Sequence, residues 1–157
     1  MTGVPRISEA SDRPTRVLVA EDETIIRLDL CGLLERVGLE VCAEARDGVE
    51  AVELARSTRP ALILMDVRMP RLDGIEAARR ILAERPIPIV MLTAYGEDEI
   101  VSRAVDAGVF GYLVKPFREQ DLLPAIRTAL ARHSDLTASR RPSATKVDIF
   151  IPRRSST

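Results

Sequence analysis

Ala61-Leu62-Ile63-Leu64-Met65-Asp66-Val67-Arg68-Met69-Pro70 is an unbroken aliphatic run closed by a carboxylate and followed by a proline-bearing turn. Such a run reads as a strand buried on both faces, the kind a parallel sheet holds. Asp66 then stands at the C-terminal end of that strand, the edge at which open α/β sheets bind ligands. Three further polar groups fall at equivalent points. Glu21-Asp22 follow Val17-Leu18-Val19-Ala20, Thr93 follows Ile89-Val90-Met91-Leu92, and Lys115 follows Phe110-Gly111-Tyr112-Leu113-Val114. Carboxylates, a hydroxyl and an ammonium meeting at one sheet edge suit a divalent cation and a phosphoryl group, with Asp66 as the acceptor.

Between these strands the apolar spacing turns helical. Ile25, Ile26, Leu28, Leu30, Leu33, Leu34 and Val37 form one helical set that Gly38 stops. Glu40 to Ala45 reads as a second, more exposed strand, and Asp47-Gly48 opens a helix with Val49, Val52, Leu54 and Ala55 inward. Asp73 caps a helix through Ile75, Ala78, Ile81 and Leu82. Ile100, Val101, Ala104 and Val105 mark a fourth helix, and Leu122, Leu123, Ile126, Ala129 and Leu130 a fifth, in which Pro124 is expected to kink or loosen the backbone. Strands alternating with helices imply an α/β fold: a doubly wound, five-stranded parallel sheet with right-handed crossovers. The flavodoxin-like order 2-1-3-4-5 is adopted by analogy, and puts the ends of strands one and three at a topological switch point.

The chain has 157 residues, 46% of them hydrophobic, with aromatics at 3% and no Trp, so one aliphatic-cored domain is expected. The reading divides it into a disordered arm over 1–15, a domain over 16–132 and a basic, mostly disordered tail over 133–157. Within that tail Val147 to Ile151 reads as a short strand or docking segment. The net charge is -1. The tail carries Arg140, Arg141, Lys146, Arg153 and Arg154, so the body is acidic and does not suggest a nucleic-acid surface. Cys31 and Cys42 have no metal-ligand spacing and read as buried thiols of a reducing compartment. With no bilayer-length apolar stretch and no signal-peptide pattern after Met1, a cytoplasmic location is expected.

Clustered carboxylates repel: at ~4 Å each pair costs roughly 4 kcal/mol at an effective dielectric of about 20. A hard divalent cation relieves that cost, and an all-oxygen ligand set favours Mg²⁺ over zinc. Asp22 and Asp66 are the expected direct ligands, Glu21 has the reach to bind through water, and a backbone carbonyl just after Asp66, that of Arg68, supplies another oxygen. Thr93 is placed to donate to a phosphoryl oxygen, and Lys115 to pair with another as a point charge. Each residue alone reads as ordinary: a cap, a helix-opening acid pair, a strand-end hydroxyl, a surface lysine. Their joint placement at four strand ends is what makes a site.

Glu21-Asp22, Asp66 with Met69-Pro70, Asp73-Gly74, Thr93-Ala94 and Lys115-Pro116-Phe117 together resemble the CheY-like receiver domain of two-component response regulators. The likeness covers about residues 16–132. It implies that a sensor histidine kinase passes a phosphoryl group to Asp66, and that the chain catalyses only its own phosphorylation and dephosphorylation. It also implies a cis peptide before Pro116. Thr93 and Tyr112 would act as switch residues, rearranging the surface of the fourth helix, fifth strand and fifth helix, with homodimerisation as one outcome. Val19-Ala20-Glu21-Asp22-Glu23, Met65 to Arg71 and Tyr112 to Phe117 are more narrowly similar to the receivers of antitermination (ANTAR) regulators of the actinobacterial kind. After Thr137-Ala138 no long helical pattern follows, so an RNA-binding output segment is not expected.

Two other chemistries fit less well. A haloacid-dehalogenase-like phosphatase needs a second acid two residues after its nucleophile, where this chain has Arg68. A dinucleotide-binding turn would be glycine-rich, whereas Glu21-Asp22-Glu23 would repel a pyrophosphate. The remaining alternatives are a receiver acting only through protein contacts and a scaffold that is never phosphorylated.

Overall fold

The computed structural model describes residues 14–94, 98–109 and 111–139. Most of the N-terminal arm, Tyr95, Phe110 and the tail from Arg140, with its Val147 to Ile151 segment, lie outside the described residues. The order is β1 (Arg16–Ala20), α1 (Thr24–Arg36), β2 (Glu40–Ala45), α2 (Gly48–Thr58), β3 (Leu62–Asp66), α3 (Gly74–Glu84), β4 (Ile89–Ala94), α4 (Asp98–Ala107), β5 (Gly111–Lys115) and α5 (Glu119–Ser139). All pairings are parallel and the strand order is β2-β1-β3-β4-β5, as expected.

Alternation along the strands divides the core into two layers. Leu18, Ile63, Met65, Ile89 and Met91 face α2, α3 and α4, which contribute Ala51, Ala55, Ala78, Ile81 and Ala104. Val17, Val19, Leu62, Leu64, Val90 and Leu92 face α1 and α5, which contribute Leu30, Leu34, Leu122, Ile126 and Ala129. Covered on both sides, the central strands carry no polar side chain between Arg16, which opens β1, and their C-terminal ends. The polar residues therefore collect at one edge of the sheet. The chain also reverses direction across the sheet between β1 and β3, which opens the crevice there.

Three local expectations need correction. The inward stripe of α1 is Arg27, Leu30, Cys31 and Leu34, while Ile25 and Leu28 are 81% and 57% exposed. Helical pitch allows only one face to meet the sheet, and Arg27 starts that face. Cys42 is only half-buried because it lies on the edge strand β2, and both cysteines are free thiols. The last helix does not stop near Arg132 but runs to Ser139. Pro124 lies inside this helix, where Pro124 and Gln120 are both exposed, so a carbonyl deprived of its helical partner has water at hand.

Candidate functional site: an acidic crevice beside a lysine

Each member of the crevice is placed by the end of a strand. Glu21 continues β1 by one residue, its N–H donating to Ala45 O of β2 at 3.0 Å. Its carboxylate turns back to accept from the Glu23 N–H at 3.0 Å, and the side chain is fully buried. Asp22, next in the chain, is exposed. Asp66 is the last residue of β3 and is buried, in register with Leu92 of β4. Carboxylate oxygens of Glu21, Asp22 and Asp66 lie within 4.8 Å of one another.

Lys115 ends β5 and reaches across β4 into this group. Its Nζ is 3.2 Å from Asp66 Oδ2 and 3.5 Å from Glu21 Oε1. The Lys115-Pro116 peptide is cis, as the family likeness implies. Thr93 is buried one residue beyond Leu92 on β4, and Tyr112 is half-buried against the α2–α4 layer of the core. Arg68 follows in the β3–α3 loop. With Asp22, Met69, Asp73 and Arg103 it lines a cleft of about 310 Å³ beside the acid cluster. The structure thus brings Glu21, Asp22, Asp66 and Lys115 together and sets Thr93 and Arg68 at the margins. Sequence reasoning passed over Arg103, a single basic residue on an amphipathic helix with no motif around it.

Electrostatics follow from burial. Desolvation pushes the Glu21 carboxyl up to about 7, with the Glu23 N–H opposing and the Asp66 charge reinforcing that rise. For Lys115 burial pulls the other way, but Asp66 and Glu21 outweigh it and hold the ammonium above its usual range. Two acids and one cation in a crevice, with a third acid at its mouth, make an all-oxygen donor set that fits a hard divalent cation such as Mg²⁺.

Two loops hold this geometry. Asp73 caps α3 through the Glu76 N–H, and the Gly74 N–H donates to Val67 O at 2.7 Å, closing the β3–α3 loop on itself. Asp47 caps α2 and also accepts from Arg71, whose backbone is left-handed at φ 70, so α2 ties down the far side of that loop.

A doubly wound parallel sheet with paired acids after β1, an aspartate ending β3 and a lysine ending β5 defines the class of CheY-like receiver domains. The profile of the response regulator receiver domain matches residues 17–127, and the chain belongs to that family. It is 51% identical over 138 residues to the transcriptional regulatory protein PdtaR of Mycobacterium tuberculosis, a match covering 88% of this chain and 67% of the relative. It is 47% identical over 106 residues to protein-glutamate methylesterase/protein-glutamine glutaminase 4 of Myxococcus xanthus, covering 66% of this chain but 30% of that protein. Among solved structures, a response regulator receiver domain protein from Clostridium thermocellum superposes with a TM-score of 0.72 at 31% identity, over 78% of this chain and 98% of the other. A LuxR-family two-component response regulator from Aurantimonas sp. SI85-9A1 gives 0.72 at 31%, over 82% and 98%.

Proposed function

We propose that this receiver accepts a phosphoryl group on Asp66 from a sensor histidine kinase, with Mg²⁺ held by Glu21, Asp22 and Asp66 and a backbone carbonyl at Arg68. The observation that carries the reading is Asp66 itself: a buried carboxylate at a strand end, within 4.8 Å of two more acids and 3.2 Å from a lysine. In the transfer an Asp66 carboxylate oxygen forms the new O–P bond as the phosphohistidine N–P bond breaks, and the imidazole takes up a proton. The cation would supply charge neutralisation for the incoming phosphoryl oxygens. Lys115 pairs with a phosphoryl oxygen once Asp66 no longer carries its full charge. Thr93 and Tyr112 couple that event to the α4-β5-α5 surface, which then binds a protein partner or a second copy of the chain.

The chain turns over no other substrate and works in the cytoplasm; among the described residues no helix is long and apolar enough to cross a membrane. A link to transcription antitermination is supported by the similarity to ANTAR receivers and by a relative named as a transcriptional regulatory protein. Intact mass after incubation with acetyl phosphate and Mg²⁺ tests the central claim. A gain of one phosphoryl group, lost in Asp66→Asn, is expected; labelling that persists in Asp66→Asn refutes it. Structured RNA at physiological salt tests the output. Tight, sequence-selective binding by this chain would overturn the view that its own output is protein contact.

A further inference from the structure

Arg27 is 8% exposed and lies on the inward face of α1, at a helical position continued by Leu30, Cys31 and Leu34. An aliphatic side chain would be the ordinary occupant of that place. A buried guanidinium costs several kcal/mol unless it is paired and fully hydrogen-bonded, so what it binds carries information. Its Nη1 donates to Glu21 O at 2.7 Å and its Nε to Glu44 Oε1 of β2 at 3.0 Å. Its own backbone N–H donates to Glu23 O at 2.9 Å, the bond that starts the helix. One residue therefore grips the carbonyls on both sides of Asp22. Glu21 is further fixed by its N–H to Ala45 O and by its carboxylate to the Glu23 N–H. Asp22 is the exposed member of the acid cluster and, among the described residues, is held only through these neighbours.

We propose that Arg27 is a positioning residue for the acid pair: by fixing the backbone around Asp22 it sets how tightly the cluster takes a divalent cation. Glu44 is the handle that keeps the guanidinium in place across the β1–β2 edge. The inference rests on the reading of Glu21, Asp22 and Asp66 as a cation site. It assigns Arg27 no contact with the phosphoryl group or with the reacting atoms.

The experiment is a Mg²⁺ titration by calorimetry on wild type, Arg27→Lys and Arg27→Leu, with melting temperatures recorded in EDTA. Outer-shell changes at metal sites weaken binding by about 10–100-fold, and about tenfold is expected here because water replaces part of the lost contact. The Mg²⁺ concentration that half-saturates phosphorylation by acetyl phosphate should rise in step, while the rate at saturating Mg²⁺ is kept. Arg27→Lys retains the charge but replaces the forked guanidinium with a single donor nitrogen, and carries the test if Arg27→Leu does not fold. Mg²⁺ affinity equal to wild type in the folded variants, whatever their melting temperatures, makes Arg27 merely structural and overturns the proposal. A wild-type protein that gives no Mg²⁺ binding overturns the cation-site reading itself, and the role of Arg27 with it.

Discussion

Lys115 Nζ and Asp66 Oδ2 are 3.2 Å apart although their strands are not neighbours: β4 runs between β3 and β5. The lysine stem therefore passes over the end of β4 and lays its charge where a bound cation would also act. Ammonium and metal are rivals for the same carboxylates. Lys115→Met should consequently tighten Mg²⁺ binding. A partly exposed ion pair retains ~1 kcal/mol after screening, which corresponds to about fivefold in affinity. The metal-free variant should be less stable above about pH 7, where Glu21 is ionised and repels Asp66 without a counter-ion. Calorimetric titration decides it, and weaker binding in Lys115→Met would show that the lysine supports the cation rather than competing with it.

Strand identity and site placement were legible in the sequence because a strand covered on both faces tolerates only apolar residues, so Asp66, Thr93 and Lys115 mark the strand ends by contrast. What escaped notice has equally physical causes. Ile25 and Leu28 look like core residues, but pitch turns them outward while Arg27 turns inward. A lone arginine in a helix reads as a solvated charge, and its bond to a backbone carbonyl is a tertiary fact. The extension of α5 to Ser139 was hidden because the sequence after Leu130 carries no sustained apolar stripe at helical spacing.

The raised Glu21 carboxyl makes metal-free stability depend on pH. Unfolded, the group loses its proton near its ordinary 4.5; folded, it keeps it to about 7. Between those values the native state binds more protons, so stability falls as pH rises through that window and levels off above it. At 1.36 kcal/mol per unit the loss is on the order of 3 kcal/mol. Urea unfolding in EDTA at pH 5 and pH 8 should show this decline in wild type and a much flatter profile in Glu21→Gln. An equal decline in the variant would place the proton elsewhere.

Asp47 joins two supports in one side chain, as the cap of α2 and as the acceptor for Arg71. Asp47→Ala should cost ~1 kcal/mol through the lost cap, with little added by the Arg71 pair, whose arginine is largely exposed. Asp47→Asn keeps the cap and should lose far less. Denaturant midpoints of the two variants measure the difference, and equal losses would mean that the charge, not the cap, matters.

Gly74 carries a sharper constraint, because it packs against the backbone of the proposed phosphoryl acceptor. A Cβ at position 74 would collide with the Asp66 carbonyl oxygen and come within 2.9 Å of Met91 Cε. The Met91 methyl is the far end of a flexible side chain, but the carbonyl belongs to β3 and cannot yield without moving Asp66. Gly74 also donates its N–H to Val67 O, so the first turn of α3 and the end of β3 would separate together. Overpacking of this kind costs about 1–3 kcal/mol, partly offset by the better helix propensity of alanine. Gly74→Ala should therefore lower the melting temperature and, because Asp66 is displaced, weaken Mg²⁺ binding and slow phosphorylation at sub-saturating Mg²⁺. Gly32→Ala is the matched control: nothing lies within 4 Å of its Cβ position, so the same substitution on α1 should leave Mg²⁺ affinity unchanged and slightly raise stability. Equal Mg²⁺ affinity in the two variants would mean that the β3–α3 contact supports the fold without setting the position of Asp66.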